Sequence, residues 1–458
     1  MSGTTTIAGT GYPGLVTIHS SLSFGALSTP GSVNSMIQSY LNGLATGLNG
    51  GTYNFENYDA VNNQTYVVPG TGTRYVEQIT NIDSTGSSTS TVPGTYPNFT
   101  VPAAVTDLML QAPGDMTVAG VSTTTNLLIG AFTNADYSVT DAAAGTMYLA
   151  GGANSVTLFN TSGNTNESIY SAGQDTINLA GQGAAAVTVT GNATVIDKDV
   201  NASVVASGAA TTNLYWSSAN AGGTLHFTNN SSVAATIQIQ NGSKANVTAF
   251  GGAGGGFYVG GAAGNNSLVG GSGVVTLVGA GANDFLEAQS SVGTNVLAQG
   301  LGNETLMATS TTGSNVFGAG LQYPGLGSPD VTGVISTDGS GVQQFLLGNL
   351  AAGETVFGST QAGASNNYFV VGNTAESIGG GQISIYNFVD AKSTILLTNG
   401  NGGASDASIS SMGYNTFQSA WDISLSDGTN ILLKGLTLQQ MGAIHTVTGA
   451  GGSTAIVG

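Results

Sequence analysis

Paired carboxylates are the groups in this sequence that come nearest to an acid–base or metal-binding arrangement. The stretch "VIDKDV" places Asp197 and Asp199 two residues apart, and "NDFLEA" places Asp284 and Glu287 three apart. Such pairs can act as acid and base in glycoside cleavage or give oxygens to calcium. The chain has only two tryptophans for sugar stacking and few lysines near the pairs. We therefore place a polysaccharide-acting enzyme last among the function classes considered.

Other catalytic patterns are absent from the sequence. His19, His226 and His445 lie roughly 200 residues apart and form no H-E-x-x-H pair, which argues against a zinc hydrolase. The chain contains no cysteine and no G-x-S-x-G, so it has neither a thiolate nor a nucleophile elbow. The run "GGAGGGFYVGGAAG" lacks the Gly-Lys-Ser/Thr of a phosphate loop and is interpreted as turns. The sequence therefore predicts a protein that is not an enzyme.

Composition limits both the fold and the partners. The 458 residues include 72 glycines, and only 6% of the chain is charged. Small and β-branched residues favour short strands joined by turns. The 23 acidic residues outnumber five basic ones, giving a net charge of −18. Nucleic acid and anionic membranes are therefore disfavoured as partners, and no apolar run is long enough for membrane insertion. Calcium is the cofactor to test, because it can bridge carboxylates.

Three regions differ in their residue patterns. Residues 1–110 hold most of the prolines and one short helical candidate, which Ser32 can cap. Residues 111–374 alternate short apolar segments with Gly, Asn, Ser and Thr, which predicts strands and turns. Residues 375–458 contain longer alternating strands, and "SLSDGTNILL" predicts a hairpin that turns at Asp427-Gly428.

The middle region carries the clearest internal repeat. Asn265 precedes Asn283 by 18 residues, Asn283 precedes Asn303 by 20, and Asn295 precedes Asn315 by 20. A period near 20 predicts one coil of a solenoid, since a single coil buries too little apolar surface and stacked coils share a core. The predicted fold is all-β: a parallel β-solenoid (β-helix or β-roll) with a C-terminal antiparallel β region and an irregular N-terminal region with one short helix. Equivalent asparagines would stack as hydrogen-bonded ladders.

Four segments resemble degenerate hemolysin-type calcium-binding (RTX) repeats, whose pattern is G-G-x-G-x-D-x-U-x. They are "GNNSLVGG", "GANDFLEA", "GNETLMA" and "GQDTINLAG". The stretches "ISIYNFVDAKSTILLTNG" and "DISLSDGTNILLKGLTLQQM" resemble the C-terminal region of proteins exported by type I secretion. The resemblance implies a parallel β-roll that folds around calcium outside the cell, with an uncleaved export signal. This route suits an opening, "MSGTTTIAGTGYPG", that does not read as a signal peptide. The expected location is therefore extracellular, at the bacterial cell surface.

The aspartate position of the family pattern is acidic in only part of these segments. Aligned on the pattern, that position holds Gly256, Asn266, Val275, Asp284, Glu304 and Asp175. Calcium takes six to eight oxygens, several of them charged, so isolated acids in the solenoid give a weak site at most. The candidate calcium ligands are Asp175, Asp197, Asp199, Asp284 and Glu304. Calcium bound between molecules is the alternative.

The function that these features favour is structural. We expect an extracellular protein that self-assembles into homo-oligomers or polymers, as a building block of a surface layer, filament or biofilm matrix. Strand addition at sheet edges would drive assembly, with residues 1–30 or the strands near 383 and 431 as candidate edges. The alternative is a binding rod: an ice-binding protein, or an adhesin for glycans such as a cell-surface polysaccharide. A polysaccharide-acting enzyme is the third class.

Overall fold

The structure of the chain is a computed structural model with two compact units, Met1–Val233 and Ala234–Gly458. It describes residues 4–7, 16–19, 33–60, 64–68, 71–72, 74–80, 94–95, 98–110, 114–119, 126–129, 135–139, 145–149, 154–198, 201–208, 211–216, 223–240, 242–262, 265–289, 291–300, 302–309, 311–319, 332–348, 353–360, 366–373, 381–388, 393–399, 407–448 and 453–458.

The described residues of the first unit form strands of two to eighteen residues and one helix, α1 (Val33–Asn49). Its strands are β1 (Thr4–Ile7), β2 (Val16–His19), β3 (Asn54–Asp59), β4 (Gln64–Val68), β5 (Tyr75–Thr80), β6 (Gly94–Thr95), β7 (Phe99–Thr100), β8 (Asp107–Leu110), β9 (Gly114–Ala119), β10 (Asn126–Ile129), β11 (Ala135–Val139), β12 (Gly145–Leu149), β13 (Asn154–Ser171), β14 (Asp175–Val189), β15 (Ala193–Lys198), β16 (Asn201–Gly208), β17 (Thr212–Trp216) and β18 (Thr224–Ser231).

Parallel pairing in the first unit follows the rule of a two-sheet solenoid. Strand β10 pairs with β8 and β12, and β11 pairs with β9 and β13, so each coil gives one strand to each sheet. The long strands β13 and β14 take part in both sheets, β13 meeting β11 with its first half and β12 with its second. Parallel stacking already starts with β3, β5 and β8, while β4 pairs antiparallel with β3.

The core of the first unit follows from the two-residue period of its strands. Val156, Ile177, Val195 and Leu214 are register partners in one sheet and are at most 2% exposed. The residues between them face outward and are less buried, as the alternating burial pattern of β15 shows. Burying each such aliphatic side chain contributes about 1.5–3 kcal/mol. Stacked coils therefore gain a continuous core that one coil alone could not form.

The described residues of the second unit form twenty strands and one short helix, α2 (Leu438–Ala443). The strands are β19 (Ala235–Ile239), β20 (Asn246–Phe250), β21 (Gly256–Val259), β22 (Ser267–Val269), β23 (Val275–Val278), β24 (Phe285–Gln289), β25 (Asn295–Ala298), β26 (Asn303–Thr309), β27 (Asn315–Ala319), β28 (Thr332–Thr337), β29 (Gln343–Gly348), β30 (Thr355–Phe357), β31 (Asn367–Asn373), β32 (Gln382–Tyr386), β33 (Ser393–Asn399), β34 (Ile409–Asn415), β35 (Ala420–Leu425), β36 (Asn430–Lys434), β37 (His445–Thr448) and β38 (Thr454–Val457).

The second unit continues the same rule in two parallel sheets. One sheet contains β20, β22, β24, β26, β28, β30 and β32, and the other contains β19 and the odd-numbered strands from β21 to β33. Phe317, Phe345 and Phe369 stack in the core at ring-centroid distances of 5.2 and 4.8 Å. Identical side chains in register thus replace the irregular packing of a globular core.

Antiparallel strands extend both sheets at the C-terminal end of the second unit. Strand β36 joins β32 in parallel, and β35 and β34 follow it in antiparallel order. On the other sheet, β38 pairs with β33 and β37 pairs with β38. The hairpin predicted at Asp427-Gly428 connects β35 to β36, and Gly428 has the positive φ of 89° that this turn requires.

The all-β class, the parallel solenoid, the antiparallel C-terminal strands and the N-terminal helix are confirmed. The suggestion that the strands near 383 and 431 are open edges is wrong, because β32 and β36 each pair with a strand on both sides. The proposed cap Ser32 and most of residues 1–30 lie outside the described residues. Neither α1 nor α2 has the length and hydrophobicity that a membrane-crossing helix needs.

Candidate functional site

Three buried acids of the second unit, Asp284, Glu304 and Glu354, lie at one corner of the coils. Strands β22, β24, β26, β28 and β30 pair in register, so one residue near the start of each strand falls on a common line. We name this set the acidic column; its members are Asn266, Asp284, Glu304, Gly333 and Glu354. The sequence alignment of Asn266, Asp284 and Glu304 therefore corresponds to a physical stack.

A second corner carries amides instead of acids. Asn295, Asn315, Gln343 and Asn367 are register partners at the start of β25, β27, β29 and β31, and we name them the amide column. Asn295 Nδ2 donates to Asn315 Oδ1 at 2.9 Å, and Asn315 Nδ2 donates to Gln343 Oε1 at 2.8 Å. The first three side chains are fully buried. The predicted asparagine ladder is thus present between Asn295 and Asn315 and continues through a glutamine.

Asp284 has its carboxylate fully engaged by the protein. Oδ1 accepts from the backbone N and from Nδ2 of Asn266, both at 2.8 Å. Oδ2 accepts from the backbone N–H groups of Ala280 and Gly281, also at 2.8 Å. Four donors surround one buried carboxylate, so its role in the structure is to cap the preceding turn. Burial raises the pKa of Asp284, and these hydrogen bonds oppose that rise.

Glu304 and Glu354 are less well satisfied than Asp284. Glu304 Oε1 accepts from the backbone N of Gly300 at 2.7 Å, and Glu354 Oε1 accepts from Gln299 Nε2 at 2.9 Å. Across the part of the chain that the structure describes, Glu304 Oε2, Glu354 Oε2 and Gln299 Oε1 are buried without a hydrogen-bond partner. Burial raises the pKa of Glu304 to about 10, with repulsion from Asp284 and Glu354 adding to it. Burial also raises the pKa of Glu354 to about 7.

Glycines make room for these long acidic side chains. A Cβ at Gly333 would lie 2.7 Å from Gln299 Nε2 and 3.1 Å from Glu354 Oε1, so the missing side chain lets Gln299 reach past this coil. A Cβ at Gly279 would lie 2.6 Å from Glu304 Oε2 and 3.0 Å from Asp284 Oδ2. Cβ contacts under 3.0 Å do not occur, so alanine at Gly279 would displace Glu304 and alanine at Gly333 would displace Gln299.

The acidic column fits a calcium ion poorly. Calcium takes six to eight oxygens, whereas the oxygens of Asp284 already accept four hydrogen bonds from the protein. Within the described ranges no three His, Asp or Glu side chains are grouped closely enough to hold a metal ion. Burial raises the pKa of Glu304 and of Glu354, so a proton can take the place of a cation at these two side chains.

The remaining candidate ligands do not join this column. Asp175 lies in the first unit, where Oδ1 accepts from Asn154 Nδ2 at 2.8 Å and Oδ2 accepts from Ser171 Oγ at 2.6 Å. Asp197 is 4% exposed at the end of β15, and Asp199 lies outside the described residues. Glu287 lies on β24, three residues after Asp284, and its carboxylate accepts a hydrogen bond from Thr309 on β26. The structure therefore brings together Asp284 and Glu304 alone among the predicted ligands.

Sequence reasoning missed Glu354, Gln299 and Gln343. Glu304 and Gly333 are register partners although 29 positions separate them, so the period near 20 is lost there. The likeness of "GETVF" at Glu354 to "NETLM" at Glu304 was the available signal. The sequence held no such signal for Gln299, because its side chain reaches Glu354 only through the gap at Gly333.

The first unit contains a different kind of site, between α1 and the outer face of a sheet. A cavity of about 430 Å³ is lined by Met36, Ser39, Tyr40, Gly43, Leu44, Arg74, Tyr148 and Tyr170. The rings of Tyr40 and Tyr148 stack at 4.9 Å, and those of Tyr148 and Tyr170 at 5.5 Å. We name this cavity the tyrosine pocket.

Arg74, the only arginine in the sequence, anchors the tyrosine pocket. Its Nε donates to Asp107 Oδ2 at 2.6 Å, and Tyr40 Oη donates to Asp107 Oδ1 at 3.1 Å. Asp107 is fully buried, whereas the Arg74 side chain is 35% exposed. The hydrogen bond from Tyr40 to Asp107 therefore ties α1 to the sheet, and the ion pair leaves part of the guanidinium facing the cavity.

Comparison with known proteins adds no relative. No protein-family model matches the chain, and neither the curated proteins nor the solved structures gave a match. The solenoid is compatible with an RTX-like repeat fold, and the finer assignment to hemolysin-type repeats is a proposal.

Proposed function

We propose that the chain is an extracellular structural protein of the RTX-like kind, exported by type I secretion, that self-assembles into a surface layer, filament or biofilm matrix. The observation that carries this proposal is the pairing of the C-terminal strands. Strands β34 and β37 each pair with one neighbour among the described strands, which leaves one side of each strand open. Open strand edges template the addition of further strands, and soluble proteins usually protect them with lysine or proline. Neither residue occurs in β34 or β37.

The negative charge of the chain sets the conditions for assembly. With a net charge of −18, copies of the chain repel one another at low ionic strength. Divalent cations can screen this charge or bridge exposed carboxylates between molecules. We therefore place calcium between molecules and not in the acidic column.

Negative-stain electron microscopy and light scattering of the purified chain test the proposal. We expect regular assemblies that grow at millimolar calcium and shrink after chelation. Far-UV circular dichroism on the same samples checks that the chain stays folded. A folded chain that remains monomeric at high concentration under both conditions contradicts the structural function. Recovery of the protein from the culture medium of producing cells checks the proposed location.

The tyrosine pocket favours a binding protein as the second candidate function. Stacked tyrosines beside a guanidinium can contact the ring and hydroxyl groups of a sugar, so the class of ligand is a cell-surface polysaccharide. Affinity electrophoresis against a glycan panel tests this, with Tyr170→Ala as the pocket variant. Tyr215→Ala, which removes a half-buried tyrosine outside the pocket, is the matched control. Retardation by a glycan that only Tyr170→Ala abolishes would put the binding function first.

A further inference from the structure

Exposed apolar side chains are concentrated at the C-terminal end of the second unit. Of ten large hydrophobic residues that are exposed in the described ranges, five lie there: Met412, Tyr414, Phe417, Leu438 and Val447. Phe417, in the turn between β34 and β35, is 99% exposed. Met412 and Tyr414 share one strand, β34, and adjacent exposed apolar side chains of this kind mark interaction surfaces.

Met412 and Tyr414 continue two rows of core residues. One row runs across the sheet through Ile383, Ile431, Ile423 and Met412, which are 1%, 0%, 0% and 36% exposed. Register partners share a face of the sheet, so Met412 points to the same side as the three buried isoleucines. The apolar face of the sheet therefore continues onto β34, one strand beyond the last strand on which this row is buried.

Tyr414 belongs to the neighbouring row. That row runs through Ile385, Leu433, Trp421 and Tyr414, and exposure rises to 48% at Tyr414. The two rows end on the same strand, β34, whose other edge has no partner among the described strands. One further strand would complete both the hydrogen-bond ladder and the apolar face.

We propose that β34 pairs antiparallel with β34 of a second copy of this chain, around a two-fold axis at Met412. This inference rests on the proposed self-assembly and names the surface that carries it. Met412 is the midpoint of the seven-residue strand, so the longest overlap of two copies places Met412 opposite itself. Tyr414 then lies diagonal to Met412 of the other copy, within reach across the strands.

The uncharged strand β34 lets a second copy of the chain approach this edge with little electrostatic repulsion. β34 carries no charged residue, in a chain whose net charge of −18 makes most self-contacts repulsive. The nearest acid along the sheet, Asp422 on β35, pairs with Gly413. In the paired arrangement the two Asp422 side chains are separated by three strand spacings, about 14 Å. That distance exceeds the screening length of about 8–10 Å, so their repulsion is weak.

The absence of cysteine from the chain permits a direct test. Cβ atoms directly opposite in an antiparallel pair lie about 4.5–5.5 Å apart, close to what a disulfide needs. Met412→Cys should therefore give a covalent dimer on mild oxidation. Val334→Cys is the matched control, because Val334 is 39% exposed but lies on β28, which has a neighbour on each side.

Charge at the same position gives the complementary test. Met412→Lys places like charges opposite each other and should weaken dimerisation by roughly tenfold or more in analytical ultracentrifugation. Val334→Lys should leave it unchanged, and circular dichroism should show both variants folded.

The outcomes distinguish failure of the β34 pairing from failure of the proposed structural function. If the wild-type chain assembles while Met412→Cys does not cross-link and Met412→Lys assembles normally, the β34 pairing is overturned and the structural function stands. If the wild-type chain stays monomeric while folded, the proposed function fails together with the pairing.

Discussion

The two corner columns of the second unit occupy equivalent places in the solenoid but satisfy their polar atoms differently. In the amide column, Asn295, Asn315 and Gln343 donate and accept along the stack. In the acidic column, Glu304 and Glu354 each keep one buried oxygen without a partner among the described residues. An amide is both donor and acceptor, so identical amides can bond to one another indefinitely. A carboxylate only accepts, so stacked carboxylates need protons, a cation or donors from elsewhere.

Asp284 shows how a carboxylate can be kept in such a column without a cation. Its four donors are two backbone N–H groups of its own turn and two groups of Asn266 in the preceding coil. The same arrangement recurs in the first unit, where the backbone N and Nδ2 of Asn154 donate to Asp175 Oδ1. Glu304 keeps only the bond from its turn, at Gly300 N. The residue type at this position therefore changes the chemistry of the corner, while the parallel pairing of the coils continues through it.

Introducing an acid into the amide column should have the largest effect. Asn315→Asp replaces the donor that serves Gln343 Oε1 and Thr311 Oγ1, both at 2.8 Å, by a second acceptor. A buried charge without a partner costs about 3–5 kcal/mol, so we expect a loss of that order at pH 7. Chemical denaturation followed by circular dichroism measures it.

The control for that substitution is Asn283→Asp. Asn283 stacks on Asn265 at the surface, where Nδ2 lies 3.4 Å from Oδ1, so water can solvate the new charge. We expect a change within about 0.5 kcal/mol, as for surface substitutions in general. Equal destabilisation by the two substitutions would show that the amide column is not a special environment.

The fold was predictable from the sequence because it depends on local pattern. Alternation of apolar and polar residues, turn residues and a period near 20 are enough to predict coils that share a core. Asn283 and Asn303, 20 residues apart, directly precede Asp284 and Glu304, which lie in one column as the alignment had them. The hairpin at Asp427-Gly428 was equally local.

What could not be predicted depends on contacts between coils. The aligned positions Gly256 and Val275 belong to the sheet of the amide column, because the repeat occurs at both corners of each coil. The partner of Glu354, Gln299, is 55 residues away in sequence. No periodicity identifies such a pair, since it exists only because Gly333 lacks a side chain.

The pH dependence of stability is the second way to probe the difference between the columns. Burial raises the pKa of Glu354 to about 7 and that of Glu304 to about 10, from an ordinary value of 4.5. Below pH 4.5 both acids are protonated in the folded and unfolded states, and their contribution is fully present. As pH rises, the unfolded chain ionises first, so stability falls through pH 7 for Glu354 and toward pH 10 for Glu304. We expect a continuous loss of stability between pH 4.5 and pH 9, with an upper limit of about 1.4 kcal/mol per pH unit for each acid.

The variant Glu304→Gln with Glu354→Gln should remove most of this decline, because an amide cannot ionise. The single variants separate the two contributions: Glu354→Gln should halve the decline below about pH 7 and leave the part above it, whereas Glu304→Gln should halve the decline below pH 7 and remove the part above it. Glu287→Gln controls for the loss of one negative charge at a half-buried site on the same sheet. Unfolding midpoints measured across the pH range decide the matter. A wild-type chain whose stability rises with pH would mean that the acids are ionised in the folded state.

Removal of calcium should change the stability of the fold least, less than an acid in the amide column or a change of pH. The oxygens of Asp284 and Asp175 are already hydrogen-bonded within the protein, so chelation takes no ligand from them. A cation held by the folded state at a hundred times its dissociation constant would add about 2.7 kcal/mol. We expect the unfolding midpoints in millimolar calcium and in chelator to agree within error, while light scattering changes because surface carboxylates are bridged. Assembly can itself stabilise the fold, so the measurement is repeated with Met412→Lys, which we expect to disrupt self-association. If chelation still lowers the midpoint in that variant, and Glu304→Gln with Glu354→Gln abolishes the difference, the acidic column binds calcium after all, and the open oxygens of Glu304 and Glu354 are its ligands.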